Sequence, residues 1–447
     1  MNILVLGAGR MGYGAAFDLI HNSPDVASVT VADFDGAKAE AVAAGVGTSR
    51  ISSLRLDASN YADAVKAMKG HDSVISCVNY WYNESLSKAA IETRTNFCDL
   101  GGNNYVVDAQ LALNAEAKAA GINIIPDCGL APGMVSILAM HGAAKFDRLD
   151  EIHIRVGGLP QRPEPPLDYQ LVFSVEGLIN EYIETARVIR DGRITEVESM
   201  TELESFSFDG FPPLEAFQTS GGTSTLPDTF LGKIKELDYK TIRYTGHCEK
   251  FKTMIDLGLC SSESLESGVW SLESEPGAIA TGLPAADTET GRQRDKERAN
   301  PTSGSAATAS SVTITPRKVF ASLLEKHLPA DGPDYVLVRL EFVGTRRGHG
   351  ETGDERQETG DYRHDKSAFR DPHSALDRLV YDIIDKQDET TGLSAMMRTT
   401  AFPASIIAQM MARGDVLSRG ATPQEKAIDP EKFVTELLKR RIRIDMY

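Results

Sequence analysis

The sequence is poor in cysteine, in tryptophan and in positive charge. It has five cysteines and two tryptophans in 447 residues. The odd number of cysteines and the lack of a CxxC pair argue against a disulfide framework and favour buried thiols in a reducing compartment. With 47 basic against 64 acidic residues, a net charge of −17, the chain lacks the basic face that nucleic acid requires. The acidic excess fits either an ordinary acidic protein or one adapted to salt.

The sequence also lacks a long apolar run. None of its hydrophobic stretches reaches the length of a membrane span, and no charged segment followed by an apolar one opens the chain. We therefore expect a cytoplasmic protein with no membrane partner. Hydrophobic residues still make up 41% of the chain, which is enough for the cores of two or three domains.

What the sequence does contain is a glycine-rich turn between regular elements. An apolar segment, residues 1–6, leads into the GxGxxG pattern of residues 7–12 and an amphipathic stretch. A second apolar segment, residues 29–33, ends in an acid. This strand–turn–helix–strand order, with an acid about twenty residues beyond the last glycine, is typical of dinucleotide-binding domains. The predicted nucleotide contacts are Gly7, Gly9, Arg10, Met11, Gly12 and Asp33.

Asp33 indicates which nucleotide to expect. Its carboxylate can accept hydrogen bonds from a ribose diol and would repel a 2′-phosphate, so the sequence favours NAD. Arg10 and Arg50 leave NADP as an alternative. The other interpretation is a domain of the same fold whose glycine turn binds nothing.

Strand and helix patterns alternate through residues 1–126. Repeated βα units predict an α/β fold, a doubly wound parallel Rossmann sheet. Residues 393–447 are expected to complete this domain with a helix over 395–413, whose regular part is expected to begin near Pro403. Residues 127–392 predict a second, α+β domain for substrate binding and oligomerisation. Its predicted elements are antiparallel strands at 151–156, 239–244 and 335–343 and a helix at 173–189.

Two low-complexity insertions interrupt the second domain, at about residues 261–311 and 344–372. They contain too few periodic apolar residues to offset the entropy of ordering them. Three histidines occur in or beside the second insertion, without the close spacing of a metal site. A solvated loop is therefore favoured there, and we expect no metal. These histidines are His349, His364 and His373.

In a doubly wound sheet, ligands lie at the carboxyl ends of the strands. The segments that fall at such ends add further candidates. Those for nucleotide binding are Asp57, Cys77, Val78 and Asn79. Tyr80 and Asp99 are candidates for catalysis and substrate binding, and residues 127–133 follow another strand.

Three polar segments of the second domain offer substrate contacts. Residues 157–166 form a proline-rich linker that either presents Arg162 to a cleft or crosses the surface. Residues 219–226 place hydroxyls around a glycine pair and suit either a carboxylate site or a polar turn. The candidates in this segment are Thr219, Ser220, Gly222 and Thr223. Arg243 offers a cation, and His247 is either a group for proton transfer near neutrality or a structural histidine.

Taken together, these motifs resemble the saccharopine dehydrogenase family. The residues that carry the resemblance are 7–12, 99–102, 127–133, 162–166, 219–226 and Arg398-Thr399-Thr400. Within the family, the sequence is most similar to the lysine 6-dehydrogenases. The resemblance implies hydride transfer from a carbon–nitrogen bond to NAD, with Tyr80, Asp99 and the 219–225 loop lining the site. It also implies that Asp99 or Glu176 accepts or pairs with the ammonium proton, and that the chain forms a dimer or a larger homo-oligomer.

One departure from the family pattern bears on the substrate. Family members that handle saccharopine carry an arginine at the helix start that here contains Glu176. The reversed charge suits a free amine, and the hypothesis is oxidative deamination of the ε-amine of L-lysine; a solvent-facing Glu176 is the plainer interpretation. The alternatives are a saccharopine or carboxynorspermidine-type dehydrogenase and, from another class, a non-catalytic dinucleotide-binding regulator.

Overall fold

A computed structural model of the chain describes residues 1–266, 313–346 and 376–447. Most of the two predicted insertions, with His349, His364 and His373, lies outside the described residues. All five cysteines are free thiols, four of them buried, as the sequence predicted. None of the helices in the described ranges is long and apolar enough to span a bilayer.

The first domain is a parallel sheet covered by helices on both faces, which confirms the predicted α/β class. Its strands lie in the order β17-β6-β5-β4-β1-β2-β3, and every pairing is parallel. The order reverses between β1 and β4, where such sheets open a crevice for a ligand. Its N-terminal elements are β1 (Asn2–Leu6), α1 (Arg10–His21), β2 (Ser28–Asp33), α2 (Gly36–Val46), β3 (Ile51–Arg55), α3 (Tyr61–Met68), β4 (Ser73–Ser76), a 3₁₀ turn (Tyr80–Tyr82), α4 (Asn83–Thr93), β5 (Asn96–Asp99), α5 (Asn104–Ala112), α6 (Asn114–Ala120) and β6 (Asn123–Ile125).

The second domain is built on a mixed sheet of nine strands. These lie in the order β10-β11-β12-β7-β15-β16-β18, with β8 paired to β12 and β9 paired to β8. The elements are α7 (Met134–Ala143), β7 (Arg148–Pro160), α8 (Val175–Ile183), β8 (Ala186–Arg190), β9 (Arg193–Val197), β10 (Glu204–Phe206), β11 (Leu214–Gln218), α9 (Leu226–Phe230), β12 (Glu236–Tyr244), α10 (His247–Asp256), β13 (Leu265–Glu266), β14 (Thr313–Ile314), α11 (Pro316–His327), β15 (Asp334–Thr345) and β16 (Asp377–Lys386).

The C-terminal segment returns to the first domain. Its elements on the first domain are α12 (Ala395–Arg413), β17 (Gly420–Ala421), α13 (Gln424–Ala427) and α14 (Pro430–Lys439), whereas the final strand β18 (Asp445–Met446) pairs with β16 of the second domain. Helix α12 is buried along almost its whole length against α1, β4 and β5. A buried ion pair of 2.7 Å joins Arg440 to Asp18 of α1 and fixes the end of the chain on this domain.

Three details of the predicted elements are wrong. Helix α12 is already regular at Ala395, where the Ser394 hydroxyl accepts the amide of Met397, and Pro403 lies inside it. A cap at Ser394 and burial of the whole helix stabilise it despite the backbone hydrogen bond that proline removes. The predicted helix 173–189 ends at Ile183, and the following residues form β8.

Strand β7 also differs from the prediction. It pairs antiparallel with β15 but parallel with β12, since it lies in the middle of the mixed sheet. The expected linker begins only after Pro160, because residues 157–160 belong to β7. Two glycines make this extension possible: a Cβ at Gly157 would lie 2.6 Å from the carbonyl oxygen of Ile242 on the neighbouring strand.

Candidate active site

The glycine turn is shaped by contacts that exclude side chains. Gly7 has a φ of +98°, and a Cβ there would lie 2.8 Å from the carbonyl oxygen of Cys77. A Cβ at Gly12 would overlap the carbonyl oxygen of Gly7, so α1 packs directly on the turn. Gly9, the N-cap of α1, has no atom within 4 Å of its Cβ position. The protein itself therefore does not require glycine there, whereas a pyrophosphate approaching the helix N-terminus does.

Asp33 ends β2 directly beside this turn. Its carboxylate accepts the amides of Ala8 at 2.7 Å and Asp35 at 2.9 Å. The side chain is thereby held at the edge where a nucleotide ribose would lie. These residues fit a dinucleotide, as the sequence predicted.

The arginines do not lie where the sequence placed them. Arg50 donates to the carbonyl oxygens of Val26 at 2.7 Å and Ile20, near the start of its strand rather than at the carboxyl edge. It is therefore wrong as a candidate for a 2′-phosphate. The exposed arginine at the carboxyl end of β3 is instead Arg55, whose Nε donates to the carbonyl of Phe34, next to Asp33. Sequence reasoning missed Arg55.

Arg10 points away from the first sheet. Its guanidinium donates to the carbonyl oxygens of Ala330 and, at 3.1 Å, Leu171, both in the second domain. Met11 packs on the hydrophobic core from the first turn of α1. The glycine turn is therefore tied directly to the second domain, and a nucleotide bound there would lie at the boundary between the domains.

The remaining nucleotide candidates surround the turn. Cys77 donates its amide to the carbonyl of Leu6 at 2.7 Å, and a Val78 methyl would lie 3.2 Å from a Cβ at Gly7. Asn79 is exposed at the start of the 3₁₀ turn. Asp57 follows β3 and is exposed, and hydrogen bonds from Ser59 lower the pKa of its carboxyl. The structure brings all of these residues to the carboxyl edge of the first sheet.

Asp99 lies at the same edge but is fully enclosed. Its carboxylate accepts the side-chain amide of Gln110 at 2.8 Å and the backbone amides of Gly101 and Asp127 at 2.8 and 3.2 Å. Burial raises the pKa of this carboxyl. With three protein donors, Asp99 orders the two turns that follow β5 and β6. The predicted neighbour Tyr80 packs its ring against Gly102 in the first of these turns.

Asp127 was not among the predicted site residues, although it begins a segment that the sequence placed at this edge. It is 2% exposed and has a φ of +59°, a conformation that L residues rarely adopt. One carboxylate oxygen accepts the hydroxyl of Ser224, whereas Oδ1 has no hydrogen-bond partner among the described residues. Burial, followed by the charge of Asp99, raises the pKa of Asp127 to about 7.

The predicted hydroxyl loop, residues 219–226, therefore meets the first sheet through Ser224. Its other hydroxyls bond within the protein: Thr219 with Thr241 at 2.7 Å and Thr223 with the carbonyl of Arg187 at 3.0 Å. The Ser220 hydroxyl donates to the carbonyl of Asn180 at 3.2 Å. Gly222 lies against the ring of Tyr239, where a Cβ would overlap the ring. The loop is thus a structural link between the domains, and its hydroxyls are already paired.

Arg243 is a buried cation of the second domain. Its Nε donates to the Tyr182 hydroxyl at 2.8 Å, and its guanidinium lies 4.8 Å from the ring centre of Tyr169. His247 shares the Tyr182 hydroxyl at 3.1 Å and contacts the carbonyl of Leu167 at 2.9 Å through Nδ1. Since that carbonyl can only accept, Nδ1 carries a proton, and in the neutral ring Nε2 accepts the Tyr182 hydroxyl. Burial and the charge of Arg243 lower the pKa of His247 to about 3.

One acid faces this group. Glu181, at the end of α8, is half-buried, and burial raises the pKa of its carboxyl to about 7 against the opposing charge of Arg243. The sequence offered no signal for it, because its environment comes from residues up to sixty positions away.

Two predicted site residues lie outside this group. Glu176 is exposed and pairs with Arg317 of α11 at 2.7 Å. The arginine neutralises its charge, so the reversed charge at this helix start no longer distinguishes a free amine from a dicarboxylate. Arg162 lies exposed on the surface after β7. Among the described residues, no three His, Cys, Asp or Glu side chains are placed to hold a metal ion.

Comparisons with known proteins bear on the whole chain. The family profile described as the saccharopine dehydrogenase NADP binding domain matches residues 3–125. The profile of the saccharopine dehydrogenase C-terminal domain matches residues 129–442. The boundary between the two matches follows β6, and the second match also includes α12 and β17, which belong to the first domain.

Individual relatives agree with the profiles. The chain is 27% identical over 282 residues to the saccharopine dehydrogenase [NADP(+), L-glutamate-forming] of Saccharomyces cerevisiae, which covers 59% of this chain and 60% of that protein. It is 26% identical over 175 residues to the carboxynorspermidine synthase of Vibrio cholerae, covering 34% of this chain and 42% of that protein. The chain thus spans about 60% of the length of the first curated relatives that it matches.

A solved structure shows the same fold. Apo histidine-tagged saccharopine dehydrogenase (L-Glu forming) from Saccharomyces cerevisiae superposes with a TM-score of 0.70 at 18% identity, over 100% of this chain and 99% of that chain. The family profiles together cover nearly the whole sequence. The chain therefore belongs to the saccharopine dehydrogenase family.

Proposed function

We propose that this protein is an NAD(P)-dependent oxidoreductase that oxidises a carbon–nitrogen bond of an amino-acid amine. The observation that carries the proposal is the link between an open glycine turn and a polar cluster in the second domain. This cluster, called the Arg243 cluster here, consists of Arg243, His247, Tyr182 and Glu181. Arg10 and the Asp127–Ser224 hydrogen bond hold the two together. The names of the curated relatives support the same class of reaction.

Charge favours L-lysine as the first candidate substrate. The Arg243 cluster offers one cation, Arg243, and one acid, Glu181. A substrate with one carboxylate and a cationic amine matches this balance. Saccharopine carries two further carboxylates, which would need cations beyond the one that this cluster contains.

Oxidation of the carbon–nitrogen bond places three requirements on the protein. Bound NAD(P)⁺ accepts a hydride, and the protein must hold the amine neutral, direct its C–H bond at the nicotinamide and anchor the α-carboxylate. Loss of hydride from the ε-carbon leaves an iminium, which water hydrolyses to an aldehyde and ammonium. Arg243 is suited to the carboxylate, since a guanidinium recognises carboxylates through several donors.

The direct test is the absorbance of the reduced nucleotide at 340 nm. The full chain is mixed with NAD⁺ or NADP⁺ and with lysine, saccharopine or carboxynorspermidine. We expect NADH to form with lysine. Turnover with NAD⁺ should be faster than with NADP⁺, because the Asp33 carboxylate beside the glycine turn would repel a 2′-phosphate. No reduction with any amine and either nucleotide would refute the proposal.

A saccharopine-type reaction is the second candidate. The curated relatives named as saccharopine dehydrogenases favour it, and so does Arg317, which neutralises Glu176 at the helix start. Arg55 beside Asp33 likewise favours use of NADP⁺, since its exposed guanidinium is free to meet a 2′-phosphate. Turnover of saccharopine with NADP⁺, and none of lysine, would establish this alternative.

A regulator that binds a nucleotide without chemistry is a third candidate, from another class. The internally paired hydroxyl loop is the observation in its favour, because its hydroxyls are not free for a substrate. Nucleotide binding in calorimetry, together with silence towards every amine, would select it.

We also propose that the chain forms a homo-oligomer through the second domain. Strand β18 pairs with β16 at Tyr381 and Asp382, and Tyr447 exchanges backbone hydrogen bonds with Val380. In the described part of the chain, no strand pairs with the remainder of this edge of β16, so it is open to another strand. Light scattering should give at least twice the mass of 48.5 kDa for one chain. A monomer mass at micromolar concentration would contradict this.

A further inference from the structure

Glu181 occupies a fixed position between the two domains. It lies in the last turn of α8, and its carbonyl accepts the amide of Ser220 at 3.0 Å. Four residues further along that loop, Ser224 bonds to Asp127 of the first domain. The backbone that carries Glu181 is therefore tied, through one short loop, to the carboxyl edge of the nucleotide-binding sheet.

The surroundings of Glu181 are aromatic and cationic. The ionisable groups that interact with it are Arg243, Tyr169, Tyr182 and Tyr239. Behind them His247 is neutral, and Arg10 of the glycine turn is close enough to influence Tyr169. The acid thus lies among tyrosines, one of which, Tyr169, is influenced both by Glu181 and by Arg10 of the glycine turn.

The Glu181 carboxylate nevertheless has no hydrogen bond or ion pair to any residue that the structure describes. Other acids near the boundary between the domains do have hydrogen-bond partners. Glu425 accepts the hydroxyls of Thr225 and Thr229, and Asp99 has three donors. On the same helix, Glu176 pairs with Arg317. A partly exposed carboxyl without a hydrogen bond to the described residues keeps its acceptor sites open, so it can bind a donor from outside the protein.

We propose that Glu181 is a catalytic residue that binds the ammonium group of the substrate and accepts its proton. The inference rests on the proposed function and names the acceptor that function requires. One N–H bond of the ammonium breaks and its proton moves to a carboxylate oxygen, which leaves a neutral amine. The hydride then leaves the adjacent carbon for the nicotinamide, and Glu181 afterwards releases the proton to water.

The position of the pKa agrees with this role. Burial raises the pKa of Glu181 to about 7, so at neutral pH the group both accepts and releases a proton readily. Only the ionised form can accept a proton. The rate therefore rises with pH through about 7 and then levels off.

The test compares Glu181→Gln with Glu184→Gln. Glu184 is an exposed acid at the end of the same helix and serves as the matched control. We expect kcat/KM for lysine to fall by about 10²- to 10⁴-fold in E181Q, the usual contribution of a general base, with loss of the acid limb near pH 7. E184Q keeps the wild-type rate and pH profile. Glu181→Asp keeps the charge and recovers part of the rate.

Two outcomes would overturn the inference alone. In an active wild type, E181Q with a rate within threefold and an unchanged pH profile would exclude a role for Glu181. A raised KM with the same pH profile would mean that Glu181 holds substrate without taking its proton. NADH binding, followed by its fluorescence, should be equal in E181Q and the wild type, which shows that the fold is intact.

Failure of the proposed function gives a different result. If the wild type reduces no nucleotide with any amine, binding is measured by calorimetry with L-lysine on the NADH-loaded chain. Lysine binding that E181Q abolishes would retain Glu181 as an ammonium site in a protein without turnover and refute the proton transfer. Absence of lysine binding to the wild type would refute both.

Discussion

The nucleotide edge of the first domain and the Arg243 cluster of the second domain satisfy the hydrogen bonds of their polar groups in opposite ways. At the edge, Asp33 and Asp99 bond mainly to backbone amides of nearby turns, and glycines make room for these turns. In the Arg243 cluster, Arg243 and His247 are both hydrogen-bonded to the hydroxyl of Tyr182, which lies on a helix some sixty residues away in sequence. Local geometry fixes the first region, whereas long-range packing fixes the second.

This difference has an energetic consequence. Backbone donors arranged by a turn hold a carboxylate with little loss of side-chain entropy. A buried network of side chains is stable only if every member is present, since one missing partner leaves another polar group unsatisfied. We therefore expect added side-chain volume to have its largest effect at the nucleotide edge, and changes of charge to have their largest effect in the Arg243 cluster.

The largest effect is expected at Gly12. In Gly12→Ala the new methyl overlaps the carbonyl oxygen of Gly7, so the turn must move. We expect a loss of stability on the order of 4 kcal/mol or more and no nucleotide binding. Thermal unfolding and NADH fluorescence measure both. Gly9→Ala is the control: its Cβ meets no protein atom, so it should keep the wild-type melting temperature and lose only nucleotide affinity. Wild-type stability of G12A would contradict the proposal that a Cβ at this position cannot fit against the carbonyl oxygen of Gly7.

Asp127 should make stability fall as pH rises. Its pKa of about 7 in the fold exceeds the value near 3.9 of an unfolded chain, so the folded state binds more protons between those values. The contribution is fully present below pH 4 and is lost up to about pH 7, by roughly 2 to 4 kcal/mol. Urea unfolding across this range should show the slope in the wild type and a flatter one in Asp127→Asn. Equal slopes would show that Asp127 is ionised throughout.

His247 is expected to support the structure without moving protons. Its pKa of about 3 lies below that of an unfolded histidine, so its contribution to stability is lost as pH falls from about 6.5 to 3. His247→Gln should cost about 2 kcal/mol through the lost bonds to Tyr182 and Leu167 and leave the pH profile of the rate unchanged near neutrality. His327→Gln, at an exposed position of α11, is the control. A shifted pH profile in H247Q would restore His247 as a candidate for proton transfer.

The smallest effect is expected at Glu176. Its pair with Arg317 lies at the surface, and such pairs contribute about 0 to 1 kcal/mol. Glu176→Gln should keep kcat/KM for lysine and for saccharopine within twofold, as should Arg317→Gln. A change in the ratio between the two substrates would return Glu176 to the specificity site that the sequence suggested.

Much of the first domain could be predicted because its signals are local. The glycine pattern, the acid at the end of β2 and the alternation of strands and helices each occupy a short window of sequence. Cys77, Val78 and Asn79 were placed at the right edge for the same reason. The sequence also located Asp99, but not the donors from α5 and from the turn after β6 that enclose it.

The errors have a common physical origin. Pro403 and the glycines of β7 oppose regular structure locally, yet burial of α12 and of the central strand outweighs that preference. A preference for a free amine was inferred from the charge of Glu176 alone, whereas Arg317, which neutralises that charge, lies 141 residues away in sequence. Local patterns give the preference of a segment, but they do not give the neighbours that it meets.

The parallel sheet, the glycine turn and the family follow from the amino-acid sequence alone, because they depend on patterns within a few residues. Which acids have hydrogen-bond partners depends on the tertiary structure. Asp99 and Glu181 have the same functional group, yet one is enclosed by three donors and the other, beside Arg243, has no hydrogen bond to the residues that the structure describes. The protonation of a carboxyl depends on burial and on nearby charge, and both are set by segments that meet only when the chain folds.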